Sequence, residues 1–153
     1  MQPVIAVPEP LTEAERDRYQ RTMAIDGFGE EAQGRLKAAT VCCIGAGGLG
    51  GPVLQYLAAS GVGRLIVVDD DIVEERNLQR QTLYGTTTLG ASKAAAAAAR
   101  LADLNPMVEV IPVSLWCCYH EKLQNELKKN LIIRDKSRSM SFGKQELFTM
   151  PSD

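Results

Sequence analysis

The chain of 153 residues is 45% hydrophobic and 24% charged, a balance typical of one globular domain that is long enough to bury a core. Its net charge of −2 argues against a general nucleic-acid-binding protein, which would carry a basic stripe. Because the sequence shows neither a cleavable leader nor an apolar run of spanning length, we expect a protein that is neither secreted nor embedded in a membrane. Its four cysteines form two adjacent pairs without disulfide or zinc spacing, for which a reducing cytoplasm is the simplest compartment.

The first 39 residues predict a helical lead-in to the rest of the chain. Residues 1–10 contain three prolines and no periodicity. Thr12 and Glu15 then form a capping box, which predicts a helix that runs to about Ile25. A second short helix is expected over residues 30–39. The heavily charged face of the first helix would ordinarily be a solvated surface.

A short apolar strand, a glycine-rich turn and a helix follow one another over residues 41–60. The strand is expected to be buried, and the helix to begin at Pro52, since a missing N–H costs nothing in the first turn. The glycines have the spacing G-x-G-x-x-G, and Asp69 follows about 20 residues later, as the dinucleotide-binding fingerprint requires. The turn therefore predicts a phosphate site, because bare backbone N–H groups and the helix dipole would face an anion there.

Two further strands and one helix complete a β-α-β-α-β order over residues 40–113. Residues 64–68 predict a strand buried on both faces, residues 90–104 a long alanine-rich helix, and residues 108–113 a third strand. We therefore predict an α/β fold, a Rossmann-like and partly parallel sheet that forms half of a doubly wound structure. Residues 114–153 have another composition, compatible with one helix over 121–129 and with disorder from residue 134 onward.

Three consecutive carboxylates, Asp69, Asp70 and Asp71, follow the second predicted strand. Ligands of open α/β sheets bind at this carboxyl edge of the strands. Because three adjacent negative charges repel one another, at least one of them is expected to have a cationic or hydrogen-bonding partner. For Asp70 we favour an ordinary solvated turn.

The motifs of residues 11–113 resemble those of the MoeB/ThiF/HesA family, relatives of the ubiquitin-activating enzymes. Members of that family adenylate the C-terminal glycine of ubiquitin-like sulfur-carrier proteins. The resemblance implies a ThiF-type NAD/FAD-binding fold, ATP and Mg²⁺ as cofactors, a carrier protein as partner and a homodimer. It also implies an adenylyltransferase of the kind used in molybdopterin or thiamine biosynthesis. The residues that carry it are Arg18-Tyr19-Gln20-Arg21, Gly45-Ala46-Gly47-Gly48-Leu49-Gly50, Asp69-Asp70-Asp71, Asn77-Leu78-Gln79-Arg80-Gln81 and Gly90-Ala91-Ser92-Lys93.

The same resemblance implies a role for individual residues. The glycine turn would admit the ATP phosphates to the backbone, and Asp69 would accept hydrogen bonds from the ribose hydroxyls. A carboxylate of the carrier would attack the α-phosphorus, and pyrophosphate would leave. Catalytic roles are expected for Arg80, Lys93 and Arg21, the last of which would reach across a dimer into the neighbouring site. Nucleotide binding is expected of Gly45, Gly47, Gly48, Gly50, Asp69, Asp71, Asn77, Arg80 and Lys93.

The motif resemblance stops after residue 113. The family continues to a Cys-Thr-Asp-Asn type motif whose aspartate helps to hold Mg²⁺, and this sequence has none. Asp135 lies in only a vaguely similar place, so we assign no metal ligand. We expect a truncated or frame-shifted chain that by itself binds ATP weakly and adenylates nothing. Two alternatives stay open, an NAD-dependent oxidoreductase and a non-catalytic module that binds nucleotide or dimerises.

Overall fold

The computed structural model describes residues 7–114 of the chain. The expected helix over 121–129, the disorder expected after residue 134 and Asp135 lie outside the described residues. Two 3₁₀ turns, Glu75–Asn77 and Thr86–Thr88, lie in the connection that the sequence predicted to be irregular. The helices are α1 (Glu13–Met23), α2 (Gly29–Ala38), α3 (Gly50–Ala59) and α4 (Lys93–Leu104), and the strands are β1 (Thr40–Ile44), β2 (Arg64–Val68) and β3 (Glu109–Val113).

The three strands form one parallel sheet in the order β1-β2-β3, which confirms the predicted Rossmann-like α/β fold. Leu65 in the central strand pairs with Val41 on one side and with Val110 on the other. As predicted, β2 is buried over residues 65–68. The expectation of a buried first strand is only partly met, since β1 is half-buried and Ile44 is 62% exposed. Within residues 7–114, β1 has a neighbouring strand on one side only.

Alternate residues of the strands face opposite sides of the sheet, and α3 and α4 cover one of these sides. Leu65 of β2 belongs to the same buried cluster as Leu54 of α3 and Leu101 of α4. Ala94 and Ala97 of α4 are fully buried, because side chains of a single methyl group let the helix pack closely. On the other side of the sheet, a second cluster contains Ile66, Val68 and Val113.

The helical lead-in packs at the amino ends of the strands, at the opposite end of the sheet from the glycine turn. The side-chain amide of Asn105, just before β3, donates to the Tyr19 hydroxyl of α1 at 2.7 Å and to the Ala58 carbonyl at 2.7 Å. Gly61, before β2, has φ of +82°, and a Cβ there would lie 2.5 Å from the Tyr19 ring. The lead-in therefore leaves the carboxyl edge of the sheet, where ligands bind in this fold class, to other residues.

The two helices that flank the glycine turn and the acidic run begin at residues other than those predicted. The N–H of Gly51 donates to the Gly47 carbonyl at 2.8 Å, so α3 begins at Gly50 and Pro52 is its third residue. Proline is tolerated there because the first N–H groups of a helix have no intrahelical partner. The helix α4 begins at Lys93 rather than at Gly90, which has φ of +80°; its first turn is capped by the hydroxyl of Ser92.

None of the helices in the described part of the chain combines the length and the apolar character needed to cross a membrane.

The predicted capping box of α1 is confirmed and extends into a buried ion pair. Glu15, which is 6% exposed, accepts hydrogen bonds from the N–H of Thr12 at 2.7 Å and from the Lys37 ammonium of α2 at 2.8 Å. Burial alone would raise the pKa of this carboxyl, but the hydrogen bonds from Lys37 and Thr12 outweigh burial, and its pKa lies below the ordinary value of 4.5. The pair joins the two helices of the lead-in.

We predict that Glu15→Gln lowers the free energy of unfolding by about 1–3 kcal/mol at neutral pH, because Lys37 loses its anionic partner. A carboxyl whose pKa is lowered by folding contributes stability above its unfolded pKa and loses it as the pH falls through the folded pKa. The difference between variant and wild type should therefore shrink below pH 4.5. Urea denaturation of the variant and of the wild type, at neutral pH and again below pH 4.5, measures this difference in the free energy of unfolding. Glu13→Gln, at an exposed position in the same turn, is the control, and equal losses in both variants would contradict the account.

Candidate nucleotide-binding site

The turn between β1 and α3 requires glycine at its two ends. Gly45 has φ of +87°, a conformation that residues with side chains rarely adopt. A Cβ on Gly50 would collide with the carbonyl oxygen of Gly45. At Gly47 and Gly48 a Cβ would meet only side-chain atoms, at ordinary contact distances of 3.6 and 3.7 Å. The outer glycines are therefore needed by the fold of the turn, whereas the inner ones leave backbone surface accessible to a ligand.

Asp69 joins the end of β2 to the glycine turn. One of its carboxylate oxygens accepts from the N–H of Ala46 at 2.7 Å, and the other accepts from the N–H of Asp71 at 3.0 Å. The side chain is half-buried. Because each carboxylate oxygen has two acceptor sites, Asp69 can hold the turn and still accept hydrogen bonds from a ligand.

The acidic run has the cationic partner that the sequence predicted. The Lys93 ammonium lies 2.8 Å from a carboxylate oxygen of Asp71, and the N–H of Lys93 donates to the carbonyl of Asp71 at 2.9 Å. The side chain of Lys93 is only 6% exposed, whereas that of Asp71 is 66% exposed. An ammonium group has three donors, so two remain after this pairing. Asp70 is exposed, as expected of a solvated position.

Residues 80–84 form a wall alongside the glycine turn. The aliphatic part of Arg80 lies 3.7 Å from where a Cβ on Gly48 would be. The Tyr84 hydroxyl donates to the Ala46 carbonyl at 2.8 Å. Burial and the nearby negative charge of Asp69 both raise the pKa of this hydroxyl, so it stays protonated and remains a donor. Asp69 and Tyr84 thus hold the same residue of the turn, Ala46, one through its N–H and the other through its carbonyl.

Two predicted ligand residues lie in this part of the chain, Arg80 at the start of the wall and Asn77 in the 3₁₀ turn before it. Asn77 is 5% exposed, and its side-chain oxygen accepts from the N–H of Glu74 at 3.1 Å, which shapes the 3₁₀ turn. Arg80 is exposed and donates to the carbonyl of Arg76 at 3.1 Å. Among residues 7–114 its guanidinium has no carboxylate partner, so its positive charge is available beside the turn.

Arg21, by contrast, lies away from the turn within a single chain. It is exposed in the last turn of α1, and α1 packs at the amino ends of the strands. In the described part of the chain it makes no ion pair.

Gln81 was not predicted, although it stands in the motif that includes Arg80. It is 4% exposed, and its amide nitrogen lies 3.6 Å from where a Cβ on Gly47 would be. Its side-chain oxygen is buried without a hydrogen-bond partner among the described residues. A glutamine between polar neighbours carries no local signal of burial, so only its place in the sequence motif could have indicated it.

We predict different consequences for alanine at the outer and inner glycines. Gly50→Ala should lower the free energy of unfolding by about 1–3 kcal/mol or more, because the new methyl group would overlap a backbone carbonyl that cannot move aside. Gly48→Ala should stay within about 0.5 kcal/mol of wild type. Urea denaturation measures both values, and equal destabilisation would contradict the assignment of the inner glycines to ligand binding.

Known proteins resemble this chain over the part that carries the site. It is 55% identical over 106 residues to the sulfur carrier protein adenylyltransferase of Thermus thermophilus, covering 68% of this chain and 39% of that protein. It is 52% identical over 103 residues to the SAMP-activating enzyme E1 of Haloferax volcanii, covering 67% of this chain and 38% of that protein. The chain thus spans less than half the length of these curated relatives.

Solved structures agree with the fold. The crystal structure of E. coli tRNA N6-threonylcarbamoyladenosine dehydratase, TcdA, in complex with ATP superposes with a TM-score of 0.66 at 30% identity, covering 71% of this chain and 44% of that one. The model of the ThiF family matches residues 19–135, which extends past residue 113, where the motif resemblance stops. Because this match takes in well over half of the sequence, the chain belongs to the ThiF family.

Proposed function

We propose that the chain carries the ATP-binding half of an adenylyltransferase that activates the C-terminal glycine of a ubiquitin-like sulfur-carrier protein. One observation carries the proposal: the glycine turn has backbone N–H groups without acceptors among residues 7–114, and an acceptor suited to ribose hydroxyls and two cations lie around it. The acceptor is Asp69 and the cations are Arg80 and Lys93. The printed names of the two relatives, a sulfur carrier protein adenylyltransferase and a SAMP-activating enzyme, support the substrate class.

The backbone of the turn supports the binding of a phosphate. The N–H groups of Gly47, Gly48 and Leu49 donate to no acceptor among the described residues, whereas that of Ala46 is held by Asp69. These free donors lie at the N-terminus of α3, where the helix dipole favours negative charge. Arg80 would add a planar fork of donors and Lys93 a compact charge. ATP therefore fits the residues present.

ATP would supply the adenylyl group that is transferred to the carrier carboxylate, with release of pyrophosphate. The work left to this chain is to position two anions and to neutralise charge, since phosphoryl-type transfer needs little covalent help from a protein. Asp69 would fix the ribose, the turn would fix the phosphates, and Arg80 and Lys93 would stabilise the charge that collects on the departing pyrophosphate.

Residues 7–114 do not offer Mg²⁺ a site of its own. The carboxylates of Asp69, Asp70 and Asp71 have ligand atoms within 4.8 Å of one another, and oxygen ligands suit this ion. However, Asp71 is paired with the Lys93 ammonium and Asp69 holds two backbone N–H groups. Because two of the three carboxylates already have partners, we derive no step through a metal bound to this cluster.

A homodimer would bring the partner's copy of Arg21 towards the turn, and one surface feature supports such an assembly. Leu49, Val53 and Tyr56 follow one another at helical spacing along α3 and are 88%, 52% and 79% exposed. Contiguous exposed apolar surface is a feature of protein–protein interaction sites, so this stripe is where a second copy would pack. The stripe begins inside the glycine turn, so a partner that covered it would lie beside the proposed phosphate site.

Nucleotide titration of the cation variants tests the proposal. Arg80→Ala and Lys93→Met should each weaken ATP about tenfold or more, because each removes a charge-assisted hydrogen bond to phosphate. The same variants should bind adenosine as wild type does. Methionine is chosen because it keeps the buried stem of Lys93 packed. Isothermal titration calorimetry measures the affinities, and NAD serves as the competing ligand.

Arg76→Ala is the matched control, since Arg76 is an exposed arginine of the same segment that pairs with Glu74. Its ATP affinity should equal that of wild type. Equal losses for ATP and adenosine would assign Arg80 and Lys93 to the fold instead. Binding of NAD as tightly as ATP would favour the oxidoreductase alternative, and pyrophosphate release on addition of a carrier protein would exclude the non-catalytic module.

The dimer has a separate test. Sedimentation equilibrium should give twice the mass of one chain, and Tyr56→Glu on the exposed stripe should shift the chain to monomer without a loss of helical content. In the dimer, Arg21→Ala should weaken ATP several-fold. In the monomer, the same change should have no effect, because the arginine acts on the neighbouring subunit. A strictly monomeric wild type at tens of micromolar would leave Arg21 an ordinary surface residue.

A further inference from the structure

Gln81 has a buried side-chain amide whose hydrogen-bonding capacity is not used. The residue is 4% exposed, its side-chain oxygen has no partner among the described residues, and its amide nitrogen donates to none of them. Buried polar groups of folded proteins are nearly always hydrogen-bonded, and an unsatisfied one is destabilising. The amide nitrogen is the donor end of the group, and because it has no acceptor among the described residues, its N–H groups suit a partner from outside the fold that accepts hydrogen bonds.

The amide is held against the glycine turn by its surroundings rather than by its own polar atoms. Its nitrogen and its carbonyl carbon lie 3.6 and 3.9 Å from where a Cβ on Gly47 would be. The backbone of Gln81 is fixed at both ends, because its N–H donates to the Asn77 carbonyl at 2.9 Å and its carbonyl accepts from the N–H of Tyr84 at 3.1 Å. The side chain is thus positioned at the turn before any ligand arrives.

Gln33 shows how a buried glutamine with a purely structural role differs. Its oxygen is also buried without a partner, but its amide nitrogen donates to the Ser60 carbonyl at 2.8 Å. It lies beside Gly61 at the amino end of the sheet, far along the strands from the glycine turn. The Gln33 side chain therefore links α2 to the end of α3, whereas the Gln81 amide links nothing within the described residues.

We propose that Gln81 is a phosphate-binding residue, whose side-chain amide donates a hydrogen bond to the phosphate group seated on Gly47 and Gly48. The inference rests on the proposed function, since it takes the phosphate to belong to a nucleoside triphosphate. The amide nitrogen, which is the donor, is already the end of the side chain that lies nearest to Gly47. An anion selects the nitrogen, and the free N–H groups of the turn beside it favour an anion.

Opposite effects on stability and on binding test this role. Gln81→Leu removes an unsatisfied buried amide, so the chain without nucleotide should be as stable as wild type or more stable in urea. The same variant should bind ATP about tenfold more weakly, as expected for the loss of one hydrogen bond to a charged group, and should bind adenosine unchanged. Gln33→Leu should show the reverse pattern, with lower stability and unchanged ATP affinity. A side chain that only supports the fold cannot give the pattern expected of Gln81.

Gln81→Glu identifies the kind of ligand group that the amide meets. A carboxylate has nearly the same shape but repels phosphate, so this variant should bind ATP at least as weakly as Gln81→Leu. Equal or tighter ATP binding by Gln81→Glu would overturn the proposal, since it would mean that a donor or a cation occupies the position. Wild-type affinity in Gln81→Leu would overturn it as well. A wild-type chain that binds no ATP would instead contradict the proposed function, which keeps the two failures apart.

Discussion

The hydrogen bond between the Asp69 carboxylate and the N–H of Ala46 is the interaction on which the site depends. It ties the end of the central strand to the glycine turn at 2.7 Å, and the second carboxylate oxygen holds the N–H of Asp71. Tyr84 donates to the carbonyl of the same Ala46. With Ala46 fixed through both its N–H and its carbonyl, the N–H groups of Gly47, Gly48 and Leu49 have no acceptor in the described part of the chain, as the proposed phosphate site requires. A phosphate-binding turn needs donors that are held in place but not yet used.

The charges around that turn are arranged as the proposed triphosphate site requires. The acidic run would repel phosphate if it were unpaired, but Lys93 is buried against Asp71 and offsets one of its charges. Arg80 lies against Gly48 and keeps its guanidinium exposed. The two cations, Arg80 and Lys93, therefore lie beside the glycine turn and at the start of α4. The acceptor sites that Asp69 has left suit hydroxyl groups. This division of acceptors and donors matches the two ends of a nucleotide.

Most of the fold could be predicted because its signals are local. Thr12 and Glu15 cap α1 within one turn, and the apolar run of β2 predicts a buried central strand. Helix starts were less predictable, since Pro52 is tolerated at any of several first-turn positions and Gly90 can adopt a left-handed conformation before the helix. The burial of Gln81 and the pairing of Lys93 with Asp71 depend on contacts between distant segments. Pattern alone indicated that the acids would have a partner but not which residue it would be.

A crystal structure of the chain grown with a non-hydrolysable ATP analogue would show whether the glycine turn binds phosphate. We expect phosphate oxygens within hydrogen-bonding distance of the N–H groups of Gly47 and Gly48, and ribose hydroxyls on the Asp69 carboxylate. Asp69 should keep its bond to Ala46 in that complex, because the turn is held before the nucleotide binds. A nucleotide that lay elsewhere, or phosphates directed away from the turn, would contradict the account.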